Sequence, residues 1–276
     1  MDTVFDIIII GSGPAGVSAA LTARQRGKSA LIVTTAPEDS PLWKAERVDN
    51  YPGFPGASGR ELVEAFIAHA RAAGAEIMRG RALAVADLGG VFGVSVGADF
   101  VQGRAVILAP GLARSKPYPG EEEFLGRGVS YCATCDGMLY RGKRTAVIGL
   151  SADAAEEADY LRSIGCEVEF FDAARAKGCA IHGGERVTSL TVSGEEHPVD
   201  AVFIFRAGVS PAGLCPGLET EGGRIVTDAA MATNLPGIFA AGDAAGTPYQ
   251  VAKAVGDGCA AALSACKFIE NKSKEE

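Results

Sequence analysis

Cys132 and Cys135 are separated by two residues and followed directly by Asp136, and this group is the part of the chain best suited to chemistry. Two thiols at this spacing can form a disulfide with little backbone movement and reopen it by thiol–disulfide exchange. A Cys-x-x-Cys pair also favours the thiolate form of one member, and the adjacent carboxyl can pass a proton to or from a sulfur. The spacing therefore predicts a redox-active dithiol.

Half of a zinc site is the alternative interpretation of the same pair. A structural zinc site needs a second pair of ligands. The other cysteines instead stand singly, and His182 is the one histidine near any of them: Cys166, Cys179, Cys215, Cys259 and Cys266. The spacing favours the dithiol, and we expect the single cysteines to be small buried apolar side chains.

Composition and charge limit the class of protein. The chain has 276 residues, of which 47% are hydrophobic and 22% charged, as in an ordinary globular protein of one or two domains. The net charge of -8 and the lack of a basic stripe argue against nucleic acid or an anionic membrane surface as a partner. No basic leader precedes the apolar run at residues 7–10, and no apolar stretch reaches the roughly 18 residues of a membrane span. We therefore expect a cytoplasmic protein.

A glycine-rich turn lies near the start of the chain. Residues 5–10 form an apolar run typical of a buried parallel strand, and residues 17–26 are helical in pattern. Between them stand Gly11, Gly13 and Gly16 in a G-x-G-x-x-G arrangement. The first glycine permits a tight turn, the second lets a pyrophosphate approach the backbone, and the third lets the helix pack on the strand. Together with a second strand over residues 30–33, this predicts a dinucleotide site.

Two further segments bear on that site. The acid that usually ends the second strand is replaced by Thr34 and Thr35, which leaves their hydroxyls, or Glu38, to meet a ribose. Near the C-terminus an apolar run ends in Gly242-Asp243. Such an ending can place a carboxylate against a ribityl hydroxyl while the following N–H groups face phosphate.

Taken in order, the glycine turn, the Cys132/Cys135 pair and Gly242-Asp243 resemble the motifs of the low-molecular-weight thioredoxin reductases, which are FAD-containing disulfide reductases. The resemblance spans nearly the whole chain and is most specific over residues 126–137 and 232–243. It implies an α/β fold of two Rossmann-like, three-layer domains. The FAD-binding domain would be discontinuous, over residues 1–112 and 234–276, and a truncated NAD(P)-binding-like domain carrying the Cys-x-x-Cys would be inserted over residues 116–230.

The resemblance also implies residue roles. Cys135 would face the flavin, Cys132 would attack the disulfide of thioredoxin or a thioredoxin-like protein, and Asp136 would be the proton donor. The FAD contacts would fall on Gly11, Ser12, Gly13, Pro14, Ala15, Asn50, Gly111, Gly242, Asp243 and Gln250. The family's Gly-Gly-Gln-Leu stretch near the flavin is replaced by residues 39–43, where Trp43 either covers the flavin ring or serves packing or an interface. We expect a homodimer.

A second strand–glycine–helix pattern, beginning at residue 145, is altered. Family members that use NADPH carry G-x-G-x-x-A here, whereas Gly149 is followed by Leu150, which crowds the turn, and by Ser151 at the second glycine position. Asp153 and Asp172 place negative charge where phosphates would lie. The pattern predicts loss of nicotinamide binding. The alternative is an NADH site, because Asp172 lies 23 residues after Gly149, about where a ribose-binding acid falls.

A reductase without a nicotinamide site needs another electron source. The chain resembles the pyridine-nucleotide-independent branch of the family, whose known type is the ferredoxin-linked flavin thioredoxin reductase. Ferredoxin delivers single electrons, which FAD can collect before a pair passes to the disulfide. Arg24, Arg26 and Lys28 are candidates for docking ferredoxin, although a solvated helix face explains them as well. Two alternatives remain, namely an NADH- or NADPH-dependent thioredoxin reductase with an atypical nicotinamide site, and a flavin-binding redox sensor without steady-state reductase activity.

Overall fold

The computed structural model describes residues 3–111, 117–151, 154–206 and 211–275. Contacts divide the chain into one unit of Met1–Ala113 with Gly208–Glu276 and a second unit of Arg114–Ala207. The strands of the first unit are β1 (Val4–Ile10), β2 (Ala30–Thr34), β3 (Glu76–Arg79), β4 (Ala82–Asp87), β5 (Phe92–Val96), β6 (Asp99–Leu108), β14 (Thr220–Glu221), β15 (Arg224–Ile225) and β16 (Ile238–Ala240). Those of the second unit are β7 (Val129–Ser130), β8 (Arg144–Leu150), β9 (Glu167–Asp172), β10 (Ala180–Gly183), β11 (Val187–Val192), β12 (Glu195–Pro198) and β13 (Ala201–Arg206).

Six α-helices accompany these strands in the part of the chain that the structure describes. The first unit holds α1 (Pro14–Gln25), α2 (Gly59–Ala72), α5 (Pro211–Leu214) and α6 (Val251–Glu275), and the second holds α3 (Ala133–Asp136) and α4 (Ala154–Ser163). Among the described residues, none of the helices is both long and apolar enough to cross a bilayer.

The first unit is built on a seven-stranded sheet whose main path is β3-β2-β1-β6-β5-β4. Strand β6 pairs along one side with β1, while on its other side the first half pairs with β5 and residues Val106, Ile107 and Leu108 pair with β16. Because β1, β2, β6 and β16 are parallel, their carboxyl ends meet at one edge. In an open α/β sheet this edge is the usual ligand site.

Helices α1 and α6 pack against each other over one face of this sheet. The shared core contains inward-facing strand residues such as Ile7, Ile9 and Ile107 and many alanines of the two helices. Small side chains allow close approach, and at Gly258 a Cβ would overlap the backbone oxygen of Ala15. The helices therefore meet backbone to backbone at the start of α1.

The first unit also takes in residues that we expected in the inserted domain. Leu214, Cys215, Leu218 and Ile225 are buried, α5 packs on β4, and the β14–β15 hairpin contacts residues 242–245. The contact division therefore returns to the first unit at Gly208, whereas the sequence placed the return at residue 234. The other crossing, expected near residues 112–116, lies outside the described residues.

The second unit has three layers, as the fold prediction requires. Its central sheet is parallel in the order β7-β13-β8-β9. Side chains alternate along these strands, so that Val147 and Phe203 join the core under α3 and α4, while Ile148 and Ile204 join the core under the antiparallel β10-β11-β12 sheet. The α/β fold with two Rossmann-like units is confirmed.

Two glycines of α6 give a matched test of this packing. A Cβ at Gly256 meets no atom within 4 Å, whereas at Gly258 it overlaps Ala15 O. Gly256→Ala should stabilise the protein by about 1 kcal/mol through helix propensity. Gly258→Ala should destabilise it by about 1–3 kcal/mol because α1 must shift. Thermal unfolding of the two variants checks this, and equal midpoints would contradict the close α1–α6 approach.

Candidate active site

The dithiol lies at the start of α3. Cys132 and Cys135 form a disulfide with their Cα atoms 5.4 Å apart. Cys132 is the N-cap of the helix, and the Cys135 N–H donates to Cys132 Sγ over 3.0 Å. Thr134 Oγ1 lies 3.3 Å from the same sulfur. The two sulfurs are thus paired as the spacing predicted, and the polar contacts converge on Cys132 Sγ, where they can stabilise a thiolate.

The two sulfurs differ in accessibility. Cys132 is buried, with 9% of its surface exposed, whereas Cys135 is exposed. In this arrangement a partner in solution can reach Cys135 more readily than Cys132. Attack by Cys132 on another protein's disulfide therefore requires that Cys132 first become exposed.

Asp136 is tied to the disulfide through Ser130, a residue that the sequence analysis did not single out. The buried Ser130 hydroxyl lies 2.7 Å from Asp136 Oδ2 and accepts the Cys132 N–H over 3.1 Å. Asp136 is half-buried. Asp136 directly follows Cys135 in the chain, and a carboxyl held there can exchange a proton with a nearby sulfur.

The glycine turn after β1 has the shape predicted for a dinucleotide site. Gly11 has φ of +114°, and a Cβ there would overlap Ala109 O. A Cβ at Gly16 would overlap Gly11 O, whereas one at Gly13 would meet no atom within 4 Å. The open side of the turn is therefore at Gly13, beside the unpaired N–H groups at the start of α1. These features fit the pyrophosphate of FAD.

The hydroxyls at the end of β2 serve another purpose than the one expected. Ser12 Oγ and Thr34 Oγ1 are 2.6 Å apart, both residues are buried, and the Thr34 hydroxyl donates to Thr35 O over 3.0 Å. Thr34 thus fixes the turn rather than offering a free group to a ribose. Thr35 and Glu38 remain candidates for that contact.

Asp243 follows β16 at the same sheet edge, and Gly111 follows β6 with φ of +75°. The Asp243 carboxylate is half-buried, and within the described parts of the chain nothing donates a hydrogen bond to it. Burial raises the pKa of Asp243, while the Lys253 ammonium lowers it and the Asp257 carboxylate raises it. A half-buried carboxylate that needs a donor fits a ribityl hydroxyl of FAD.

Asn50 and Gln250 are 200 positions apart, yet Asn50 Nδ2 donates to Gln250 Oε1 over 2.7 Å. The structure therefore brings together two of the residues on which the resemblance placed FAD contacts. Trp43 is half-buried, with the Arg60 guanidinium 5.5 Å from its ring centre. This cation–π contact explains why Trp43 is held in its loop.

Two polar side chains at the altered nucleotide edge of the second unit make hydrogen bonds to the nearby backbone. Ser151 Oγ donates to Phe205 O over 3.2 Å, which links the ends of β8 and β13. Asp172 Oδ1 accepts the N–H groups of Ala174 and Arg175, at 3.0 and 2.9 Å. Asp172 is therefore a turn cap, which does not favour the alternative that it binds an NADH ribose. Asp153 lies outside the described residues.

Sequence reasoning missed a buried carboxylate at this edge. Glu121 is 2% exposed and forms a bidentate ion pair with Arg206, at 2.5 and 2.6 Å. It also accepts the Tyr131 hydroxyl over 3.0 Å and the Tyr118 N–H over 2.8 Å. Three consecutive acids, as at residues 121–123, are typical of a solvated surface, so local sequence carries no signal for this contact.

Two of the three cations considered for ferredoxin docking are engaged within the first unit. Arg24 donates to Ala73 O over 3.2 Å and to Lys28 O over 3.1 Å. Lys28 Nζ lies 3.8 Å from Glu270 Oε1. Of the three, Arg26 is the cation that the structure leaves exposed.

The single cysteines are mostly buried, as expected. Cys166, Cys179, Cys215 and Cys266 are buried and Cys259 is half-buried. Burial raises the pKa of Cys215 to about 12 and also raises the pKa of the other three buried thiols. These thiols stay protonated near neutral pH.

Comparison with known proteins gives a consistent result. The family model for pyridine nucleotide-disulphide oxidoreductases matches residues 5–177 and 173–258. A thioredoxin reductase of Listeria innocua is 36% identical, with 98% of this chain and 95% of that protein covered. A ferredoxin-flavin thioredoxin reductase from Clostridium acetobutylicum superposes with a TM-score of 0.89 at 39% identity, covering 98% of this chain and 99% of the other. A thioredoxin reductase from Gloeobacter violaceus gives 0.80 at 30%, covering 97% and 95%.

The chain therefore belongs to the pyridine nucleotide-disulphide oxidoreductase family, and within it to the low-molecular-weight thioredoxin reductases, in the branch similar to ferredoxin-flavin thioredoxin reductase. Its cofactor is FAD, and it is an oxidoreductase that acts on disulfides through the flavin. The chain itself contains the Cys132–Cys135 disulfide.

The buried carboxylate of the second unit gives a prediction of its own. Glu121→Ala leaves the Arg206 guanidinium without its bidentate partner in a nearly dry site, and should destabilise the protein by about 3–5 kcal/mol. Glu122→Ala, the exposed neighbour, is the control and should change stability by less than about 0.5 kcal/mol. Urea unfolding followed by circular dichroism measures both, and a small effect at Glu121 would contradict a structural role for the ion pair.

Proposed function

We propose that the protein reduces thioredoxin or a thioredoxin-like protein with electrons from reduced ferredoxin, which pass through FAD and the Cys132–Cys135 disulfide. The observation that supports ferredoxin as the electron donor is the altered nucleotide edge of the second unit. Ser151 and Asp172 are both engaged by their own backbone surroundings there. An edge without a phosphate-binding turn offers no site for a nicotinamide dinucleotide.

The relatives support the same donor. The Clostridium acetobutylicum protein is a ferredoxin-flavin thioredoxin reductase, and the similarity to it extends over nearly the whole of both chains. Bound FAD supplies the chemistry that joins single-electron delivery to two-electron reduction of a disulfide. Gly13, Asp243 and the Asn50–Gln250 pair would hold it at the carboxyl edge of the first sheet.

The chemistry of the dithiol follows from thiol–disulfide exchange. Uptake of two electrons and two protons breaks the Cys132–Cys135 bond. Cys132 thiolate then attacks one sulfur of the thioredoxin disulfide, forming a mixed disulfide and releasing the other sulfur as a thiolate, which takes up a proton. Cys135 thiolate attacks Cys132 Sγ, which restores the intramolecular disulfide and releases reduced thioredoxin. Asp136, held by Ser130, gives and takes the protons at the dithiol.

The surface next to the dithiol suits a protein substrate. Met138 and Leu139 directly follow α3, and they are 56% and 68% exposed. Large apolar side chains that stay exposed mark surfaces for protein contact. We propose that these two side chains contact the thioredoxin-like partner.

From the family resemblance we also propose that the protein is a homodimer.

A flavin-binding redox sensor is the second candidate function. The same disulfide would then respond to the redox state without passing electrons onward. Steady-state turnover with thioredoxin discriminates between the two, because a sensor is oxidised or reduced once and then stops.

The roles of the two cysteines can be tested by serine substitution. Cys135→Ser and Cys132→Ser should each abolish disulfide reduction, because each removes one sulfur of the exchange. Only Cys132→Ser should show a long-wavelength charge-transfer band, from the Cys135 thiolate beside the flavin. Cys259→Ser, a half-buried single cysteine, is the control and should keep full activity. A band in Cys135→Ser instead would show that the roles are reversed.

The electron donor can be tested by anaerobic reduction of the flavin. Neither NADPH nor NADH at millimolar concentration should bleach its absorbance, because Leu150 and Ser151 replace the phosphate-binding turn and Asp172 caps a local turn. Reduced ferredoxin should bleach it. Rapid, saturable bleaching by NADPH would refute the ferredoxin proposal, and the same result with NADH would make Asp172 a ribose ligand after all.

A further inference from the structure

Lys253 stands where a helix disfavours a cation. It is the third residue of α6, and the first turn of a helix carries partial positive charge. Its i,i+4 partner Asp257 lies toward the C-terminus, which is the less favourable order for such a pair. Because the helix start disfavours the Lys253 charge, we expect other contacts to stabilise it.

The compensating contacts are to the turn that carries Asp243. Lys253 Nζ donates to Gly242 O over 3.0 Å and to Gly246 O over 2.7 Å, and it lies 2.7 Å from Asp257 Oδ2. An ammonium has three donors, so all of them are used. The carboxylate of Asp257 in turn accepts the Gly242 N–H over 3.1 Å.

These bonds enclose both ends of the 3₁₀ turn Gly242–Ala245. Both backbone polar groups of Gly242 are bound within the protein, so they do not serve a ligand directly. Asp243 is left as the polar side chain of the turn whose carboxylate has no donor in the described chain. The lysine and aspartate therefore fix the position from which Asp243 can meet a hydroxyl.

We propose that Lys253 and Asp257 are positioning residues for FAD, which hold the Gly242–Gly246 turn in the shape from which Asp243 can meet a hydroxyl of the cofactor. This inference rests on the proposed contact between Asp243 and FAD. The other charged groups near the turn are Arg224 and Glu221 of the β14–β15 hairpin, which pair with each other, and the start of α1 is uncharged.

Loss of the Lys253 charge and loss of the Asp257 charge should shift the pH midpoint of FAD release in opposite directions. The ionised Asp243 carboxylate accepts a hydroxyl donor better than the neutral acid, so FAD is held less tightly as pH falls through the pKa of Asp243, which burial raises above its usual value. Loss of the Lys253 charge raises that pKa further, and loss of the Asp257 charge lowers it. The pH midpoint of FAD release should therefore move up in Lys253→Met and down in Asp257→Asn.

The test uses purified holoenzyme incubated at graded pH, with released FAD separated by filtration and measured by its fluorescence. Lys253→Met should weaken FAD binding at neutral pH by about ten- to a hundredfold, because two charge-assisted bonds to the turn are lost. Lys267→Met, an exposed lysine of the same helix, should match the parent protein. Circular dichroism confirms that each variant is folded at the pH of the measurement.

Asp243→Asn distinguishes the proposed contact between Asp243 and FAD from the proposed positioning role of Lys253 and Asp257. If it holds FAD as tightly as the parent at every pH, the proposed Asp243 contact is wrong and this inference falls with it. If Asp243→Asn weakens FAD binding but Lys253→Met behaves like Lys267→Met, the proposed Asp243 contact stands and only the positioning role of Lys253 and Asp257 is overturned. Shifts of the midpoint in the same direction for Lys253→Met and Asp257→Asn would also overturn it.

Discussion

Close approach of main-chain atoms around the start of α1 is the constraint on which the first unit depends. Gly16 lies against Gly11 O, Gly11 against Ala109 O, and Gly258 against Ala15 O, each too close for a Cβ. These contacts join β1, β6, α1 and α6 at a single point. The remaining side, at Gly13, is open. A helix start enclosed by backbone everywhere except toward one ligand position leaves its N–H groups directed at that position, which is what a pyrophosphate requires.

The second unit keeps a Rossmann-like sheet although Ser151 stands where the first unit has Gly13. Its sheet keeps a full apolar core, with Phe171, Phe203 and Phe205 completely buried. At the carboxyl edge, however, a buried ion pair between Glu121 and Arg206 occupies polar groups that could otherwise meet a ligand. The core that stabilises a Rossmann-like unit is thus separate from the turn that binds its nucleotide. The residues of that turn can therefore change while the core stays intact.

The sequence predicted the features that short patterns encode. The glycine turn and the dithiol each depend on neighbouring residues, and the structure has both as expected. It could not predict contacts that only the fold brings together. Glu121 meets Arg206 across 85 positions, and residues such as Leu214 and Ile225 join the first unit because their apolar side chains are buried there. Thr34 failed as a ribose candidate because its hydroxyl meets Ser12. Pattern alone does not reveal which polar group is already engaged.

Burial disfavours thiol–disulfide exchange at four of the seven cysteines. Thiolate, not thiol, is the attacking species in exchange, and burial raises the pKa of four of the single cysteines. Cys166 lies close to the end of α3, since its thiol donates to Gly137 O over 3.6 Å. A thiol used as a donor in a dry site is a poor nucleophile. The reactive pair instead has Cys132 Sγ within reach of a backbone N–H and a hydroxyl, which stabilise negative charge on sulfur. These contacts distinguish Cys132 from the four buried single thiols.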